Sequence, residues 1–219
     1  MTEALTDSKP RVLRHAVILS HPAEQSFNGA VAQTYCETVR SLGHEAVLRD
    51  LYRLGFDPLL KANERPAAEG QVQAADVAAE IEAIRDADIF VLIYPIWFGT
   101  PPAMMKGYVE RVLGAGFSHR AVHAGQAHPF LSGKHLLSIT SSGNMIQWLD
   151  LQGAWMSLRH VFDNYIAGAF SMASAEHVHL QSIIEDMDER HAREELHRVE
   201  QVASETCARL SSALAAPTR

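Results

Sequence analysis

Ile89-Phe-Val-Leu-Ile-Tyr-Pro-Ile-Trp-Phe-Gly-Thr-Pro-Pro-Ala-Met-Met-Lys-Gly-Tyr-Val-Glu-Arg111 is the stretch that decides the fold. Its first five residues, Ile89 to Ile93, are all apolar and rich in β-branched side chains. That is how a strand buried on both faces reads. From Pro101 onward, Met105, Val109 and Val112 recur at helical spacing, with Met104 and Tyr108 beside them. Thr100 can cap this helix, and Pro101 can occupy its first position, where the missing N–H costs nothing. Between strand and helix, Tyr94 to Thr100 is full of large rings where a surface loop is ordinarily polar. In an open α/β sheet, ligands sit just outside the carboxyl ends of the strands. A ring-rich turn at that place suits a flat ring system.

The same strand-then-helix pattern recurs on both sides. His15-Ala-Val-Ile-Leu-Ser20 reads as a first strand, followed by a helix striped by Val31, Tyr35, Val39 and Leu42 and closed by Gly43. Asn28 is the expected cap of that helix. His44 to Leu51 reads as a second strand whose polar residues place it at a sheet edge. Val77, Ile81 and Ile84 mark another helix before the central strand. Lys134 to Thr140 is a fourth strand, and Ala175 to Leu180 a fifth. Leu151, Trp155, Leu158, Phe162 and Ile166 form one helical face between them. Ala192, Leu196, Val199, Ala203, Thr206 and Leu210 stripe a long last helix. The alternation predicts an α/β fold: a doubly wound, five-stranded parallel sheet in the order 2-1-3-4-5, with helices on both faces.

The chain has 219 residues, which favours one domain. We expect it over residues 14–213, after a disordered tail at 1–13. That tail has no apolar core and carries Glu3 and Asp7, so it does not read as a signal peptide. Net charge is −7 with no basic block, which argues against a nucleic-acid surface. The longest near-apolar run, Ile89–Phe98, is about half the roughly 20 residues that a membrane-spanning helix needs. Cys36 and Cys207 both fall in expected helices and form no CxxC pair. They read as reduced, half-buried thiols, which fits a cytoplasmic protein.

Two excursions interrupt the pattern. Tyr52 to Gln73 has no clear period, and reads either as a segment laid over a cleft or a second subunit, or as a plain loop. Phe117 to Pro129 carries His119, His123 and His128, whose spacing matches no metal-ligand pattern, so no metal is expected.

Three loops then converge along one edge of the sheet. His21 to Asn28 offers a histidine, a hydroxyl, an amide side chain and the N–H groups of a helix start, which suit a phosphate. It lacks the glycines of a dinucleotide fingerprint or a P-loop. Pro95, Ile96, Trp97, Phe98 and Gly99 offer rings and backbone; the other reading puts Trp97 and Phe98 in the core beneath the loops. Thr140, Ser141, Ser142 and Gly143 offer donors to the edge of a pyrimidine-like ring. Phosphate, ring face and ring edge together point to a flavin.

Three stretches, Ser20 to Asn28, Tyr94 to Arg111 and Gly133 to Gly143, resemble the NAD(P)H:quinone oxidoreductases of the DT-diaphorase type, within the flavodoxin-like superfamily. The similarity runs from about residue 14 to 211 and includes Gly116-Phe117. The resemblance implies a flavin-containing homodimer with its sites at the subunit interface. It also implies a ping-pong cycle, in which NAD(P)H reduces the flavin and a quinone-like acceptor then takes two electrons. Carried over by position, His21, Ser26, Phe27 and Asn28 would hold the phosphate and ribityl chain, with Gln25 where a hydroxyl residue is usual. Pro95, Trp97 and Phe98 would contact the ring, and Thr140 to Gly143 would cover its N1/O2 side. FAD and FMN both remain open, as do NADH and NADPH.

The chain departs from the family where a tyrosine and a histidine are expected after the fourth strand. Trp148 and Trp155 fall near those positions, and an indole N–H only donates. The site then relies on backbone dipoles or recruits another group, for which His160 and His119 are candidates. Two alternatives stay beside the reductase. One is a flavin-binding regulatory subunit of an ion-efflux system, with Glu185 to Arg190 as a docking segment. The other is reduction of azo or nitro compounds.

Overall fold

The structure is a computed structural model describing residues 11–66 and 71–215, with side chains to residue 213. Residues 1–10 of the expected tail lie outside the described residues. Arg11 to Leu13, read with that tail, are instead packed on the domain: Leu13 is fully buried and Arg11 donates to Asp88 at 2.6 Å.

Five strands, β1 (Arg14–Leu19), β2 (Glu45–Asp50), β3 (Ile89–Pro95), β4 (His135–Ser141) and β5 (Ser174–Leu180), pair in the order β2-β1-β3-β4-β5. Every pairing is parallel. The doubly wound topology expected from the sequence is therefore the one found. All seven residues of β3 are buried, and each large apolar side chain so enclosed contributes about 1.5–3 kcal/mol. β2 is exposed along much of its length, as an edge strand is.

Successive side chains of the central strands feed opposite layers. Val17, Val91, Ile93 and Ile139 face α1 (Phe27–Ser41) and α8 (Glu189–Ala215), meeting Val31, Tyr35, Val199 and Ala203. Ile18, Phe90, Leu92 and Tyr94 face α2 (Ala75–Ile84) and α3 (Ala103–Tyr108), whose last turn widens into a π-helical turn over Val109–Leu113. Cys36 and Cys207 are free and buried rather than half-buried, and burial pushes both thiols up to about 11.

Four local expectations are corrected. The cap of α1 is Ser26, whose Oγ accepts from the Gly29 N–H at 3.1 Å; Asn28 lies inside the first turn. The helix after the ring-rich loop begins at Ala103, because Thr100 is held in a tight turn with Trp97. The helical face from Leu151 to Ile166 is broken into α5 (Ile146–Leu151), α6 (Ala154–Leu158), a π-helical turn over Arg159–Asn164 and α7 (Tyr165–Ala169), with left-handed Gly153 at the first break. Leu151 is exposed, while Leu158, Phe162 and Ile166 are buried. The excursion after Phe117 holds a short helix, α4 (His119–His123), capped by Ser118.

The described part of the 52–73 excursion is tied to the π turn after α3. Arg111, buried to 3% side-chain exposure, donates to both carboxylate oxygens of Glu64, to Asp76 and to the Asp57 carbonyl. Acidic residues ahead of α8 also have a local role, since Asp188 accepts from the Arg190 N–H at 2.8 Å. Among the described residues, no helix is long and apolar enough to cross a membrane.

Candidate active site

The carboxyl ends of β1, β3 and β4 bring the three sequence-predicted loops to one edge. Pro95 still belongs to β3 and is buried; the Ile96 N–H donates to the Ser141 carbonyl at 2.8 Å, so the second and third loops are joined by the sheet. The first and third are joined by side chains. The Asn28 amide donates to Ser141 Oγ at 2.9 Å, both residues being buried. That bond explains why Asn28 does not cap α1: its side chain is turned to β4.

At the start of α1, the Ser26 hydroxyl takes the Gly29 N–H, leaving the earlier first-turn amides without an intrahelical acceptor. No acidic residue lies in that first turn, so its positive end is uncompensated and fit to receive an anion. Gln25 is exposed there, and Phe27 is half-buried. Ser20, just before the loop, is fully buried and its Oγ has no partner among the described residues. His21 lies with its ring 5.9 Å from that of Trp97, and its Nδ1 accepts from the Ala23 N–H.

The ring-rich loop is a tight hairpin. Trp97 and Thr100 exchange N–H···O bonds at 3.1 Å, with Phe98 (φ 50°) and Gly99 (φ 78°) between them. Both central residues are left-handed, as in the turn that Asn-Gly ordinarily makes. Phe98 pays that backbone strain while its ring is entirely exposed, and Trp97 is 40% exposed. Neither ring is core beneath the loops. Two large rings held up to solvent at a strand end are a surface made to be covered.

The third loop splits in function. Thr140 is fully buried and its hydroxyl is turned away from the loops, to His177 (2.7 Å) and His179 (2.9 Å) on β5. Ser142 Oγ lies 3.1 Å from His179 Nε2, and Gly143 is exposed. The side chains of Thr140 and Ser141 are thus engaged inside the protein, Ser142 is nearly so, and Gly143 is exposed at the tip of the loop.

The candidates for the missing relay separate sharply. His160 is exposed, and His119 pairs with His123 at 2.8 Å on the short helix α4. Trp148 is exposed. Trp155 lies edge-on to His177, with ring centroids 4.6 Å apart, and tilted over His179 at 5.6 Å. Those two histidines, hydrogen-bonded to Thr140 beneath the third loop, were not singled out by the sequence reading. The alternation His177-Val178-His179 on a strand was the available signal, since it puts both rings on one face. His128 is buried among Phe117, Phe130 and Phe170, and its Nδ1 accepts from the Leu131 N–H at 3.1 Å. No group of three or more potential metal ligands converges among the described residues.

Residues 14–203 match the model of a family described as having a flavodoxin-like fold. The chain belongs to the flavodoxin-like fold family. Within it, the chain is similar to a Haemophilus influenzae protein named an uncharacterized NAD(P)H oxidoreductase. The two are 29% identical over 170 residues, covering 77% of this chain and 82% of the other. It is also similar to rat NAD(P)H dehydrogenase [quinone] 1, at 33% identity over 152 residues. There the match covers 61% of this chain and 55% of the rat protein, so it spans about half of that enzyme's length. Among solved structures, an NAD(P)H:quinone oxidoreductase from Methanothermobacter marburgensis superposes with a TM-score of 0.72 at 21% identity. That superposition covers 88% of this chain and 95% of the other. As in other flavodoxin-like sheets, the switch point lies between β1 and β3, where this chain places its anion-ready helix end and its exposed rings.

Proposed function

We propose that the chain is a flavin-dependent NAD(P)H dehydrogenase that passes two electrons to quinone-like aromatic acceptors. The observation that carries this reading is the Trp97–Thr100 hairpin, with Phe98 fully exposed on a strained backbone beside the uncompensated start of α1. The relatives named as NAD(P)H oxidoreductase and NAD(P)H dehydrogenase [quinone] support it.

The donor set fits a flavin. First-turn amides of α1, with Ser26 and His21, would hold its phosphate, and Gln25 would reach the chain beyond it. Asn28 would contribute its backbone N–H, because its side chain is bound to Ser141. Trp97 and Phe98 would bound the ring face, and Ile96, Gly99, Ser142 and Gly143 its polar edge. A bound flavin supplies two-electron hydride chemistry, and the protein supplies orientation and a dry stacking surface. Met145, Trp148, Leu151, Met156, Val161 and Tyr165 are exposed on and around α5–α7. That apolar face favours a second copy closing over the open ring site, and hence a homodimer. Two buried, free cysteines fit a reducing, cytoplasmic setting.

The test is an absorbance spectrum of the purified protein reconstituted with FMN or FAD. Oxidised-flavin bands bleached by NAD(P)H and restored by a quinone would establish the reductase and identify the cofactor. Parallel double-reciprocal plots would support one acceptor site used in turn, and intersecting lines would exclude it. A protein that retains neither flavin would overturn the reading.

A further inference from the structure

Beneath the third loop runs a continuous buried chain of polar side chains, of which only Ser142 borders the proposed flavin site. Ser138 Oγ donates to Asp163 Oδ1 at 2.6 Å, and Asp163 Oδ2 lies 2.6 Å from His177 Nδ1. His177 Nε2 meets Thr140 Oγ1 at 2.7 Å, Thr140 Oγ1 meets His179 Nδ1 at 2.9 Å, and His179 Nε2 meets Ser142 Oγ at 3.1 Å. Asp163, Thr140 and His179 are nearly or wholly inaccessible. Trp155 packs edge-on against the His177 ring and tilted against the His179 ring. Burying such a network gains little or no stability over a well-packed apolar one.

The hydrogen positions follow from the ends of the chain. With Asp163 as a carboxylate, which only accepts, His177 Nδ1–H donates to it. His177 Nε2 then accepts from the Thr140 hydroxyl. Thr140 Oγ1 accepts from His179 Nδ1–H, and His179 Nε2 accepts from the Ser142 hydroxyl. Ser142 Oγ finally accepts the Asn144 N–H, at 3.2 Å. Every donor points inward. The same atoms support the reverse order with one more proton. His177 Nε2–H donates to Thr140, Thr140 to His179 Nδ1, and His179 Nε2–H to Ser142. The Ser142 hydroxyl then turns outward to the Asn144 carbonyl, at 3.4 Å.

We propose that Ser142, His179, Thr140, His177 and Asp163 form a proton relay linking the loop after β4 to a buried imidazole–carboxylate store. One proton entering at Ser142 Oγ forms a new O–H bond there, while the old hydroxyl hydrogen passes to His179 Nε2. His179 releases its Nδ1 hydrogen to Thr140, and Thr140 passes its own to His177 Nε2. The net change is one proton gained and one positive charge on His177 beside Asp163, with no electron moved. Discharge is the reverse.

The surroundings assign each ring its part. Arg198 on α8 donates to the His179 carbonyl and pairs with Glu195; Arg159 lies over Trp155; the buried Tyr94 hydroxyl faces Asp163 from β3. Burial above all, then neighbouring His177 and Arg198, lower His179 to about 4. His179 therefore stays neutral in both orders and passes the proton on, whereas His177 lies directly against the Asp163 carboxylate. The relay takes the place that Trp148 and Trp155 cannot fill. Its use in catalysis rests on the flavin reading, because only a ligand whose charge changes at the third loop needs a proton delivered there. Its five members are positioning and proton-holding residues.

The experiment is a long-range imidazole 1H–15N correlation series on the full chain without flavin, from about pH 8 downward while the protein remains folded. The relay requires His179 to switch from the Nδ1–H to the Nε2–H tautomer, without becoming charged, as His177 gains its second N–H. Thr140→Val, close to isosteric, should leave His179 in one tautomer at every pH, and Thr140→Ser should restore the switch. A His179 that keeps one tautomer in the parent protein overturns the relay, and so does a Thr140→Val protein that still switches. The parent series decides alone if the valine variant does not fold. In protein reconstituted with FMN or FAD, Thr140→Val should slow bleaching by NAD(P)H on the order of ten- to a hundredfold and flatten its pH profile. Failure to bind either flavin would sink the flavin reading while the tautomer series still judges the relay.

Discussion

Gly107 lies directly against Pro58: a Cβ on Gly107 would sit 2.3 Å from the Pro58 carbonyl oxygen and 2.4 Å from its Cβ. Gly107 is in α3, next to the ring-rich hairpin, and Pro58 is in the long excursion after β2. The missing side chain lets that excursion dock on the helix. Alanine is the better helix former by about 1 kcal/mol, yet here it would force backbone apart. Gly107→Ala should therefore be destabilising, by about 1–3 kcal/mol. Thermal and urea denaturation would check this, and an unchanged or raised midpoint would show that the excursion is not held at this contact.

Arg111 holds the same excursion electrostatically, and its loss has a signed pH dependence. Hydrogen bonding from Arg111, foremost, keeps the Glu64 and Asp76 carboxyls below their ordinary ranges. A carboxyl lowered in the fold contributes stability that is complete above its unfolded value and disappears as pH falls through its folded one. Arg111→Met should cost about 3–5 kcal/mol at neutral pH, because it strands the nearly inaccessible Glu64 carboxylate. The gap between variant and parent should shrink as pH drops from about 4.5 downward. A gap independent of pH would mean that packing of the arginine stem, not its charge, is what matters.

Much of this was legible in the sequence for a physical reason. Parallel strands enclosed on both faces must be nearly continuous in apolar residues, so Ile89–Ile93 and its neighbours declare themselves. Local signals failed where a tertiary partner competed. Ser26 and Asn28 are both good caps, and the bond from Asn28 to Ser141, 113 residues away in sequence, decides between them. The face from Leu151 to Ile166 has a helical period throughout, but a left-handed Gly153 and a π turn break it without altering that period. The Asp163–His177 pair was hidden because it joins the π turn over Arg159–Asn164 to strand β5, a tertiary contact that no local period announces.

Buried neutral histidines set a second acid limit. Burial lowers His15 and His128 to about 4. Between that value and the ordinary one near 6.5, the unfolded chain takes protons that the fold refuses. Stability should thus fall as pH drops from about 6.5 to about 4 and be insensitive to these rings above it. His128→Asn keeps an acceptor where Nδ1 receives the Leu131 N–H. The variant should be weaker at pH 7 through lost packing against Phe117 and Phe170, yet lose less on going to pH 5. Denaturant titrations at the two pH values measure both terms, and an equal loss in variant and parent would rule out His128 as a source of the slope.

Phe98 offers the sharpest separation of stability from function. Its left-handed backbone, followed by Gly99, is the conformation that Asn-Gly adopts with least strain. Its ring is fully exposed in the chain alone. Folding therefore gains nothing from a phenyl group at this position and loses the cost of holding it there. Phe98→Asn should raise the melting temperature of the flavin-free protein, by the equivalent of about 0.5–1 kcal/mol. The same substitution should weaken flavin binding, because the face that the ring would cover is gone. The two effects are read independently, one by thermal denaturation without cofactor and the other by fluorescence titration with FMN or FAD. Stabilisation with unchanged flavin affinity would move the ring contact to Trp97 alone. Destabilisation would show that Phe98 packs against something in the folded protein, a second copy of the chain being the first candidate to examine by sedimentation.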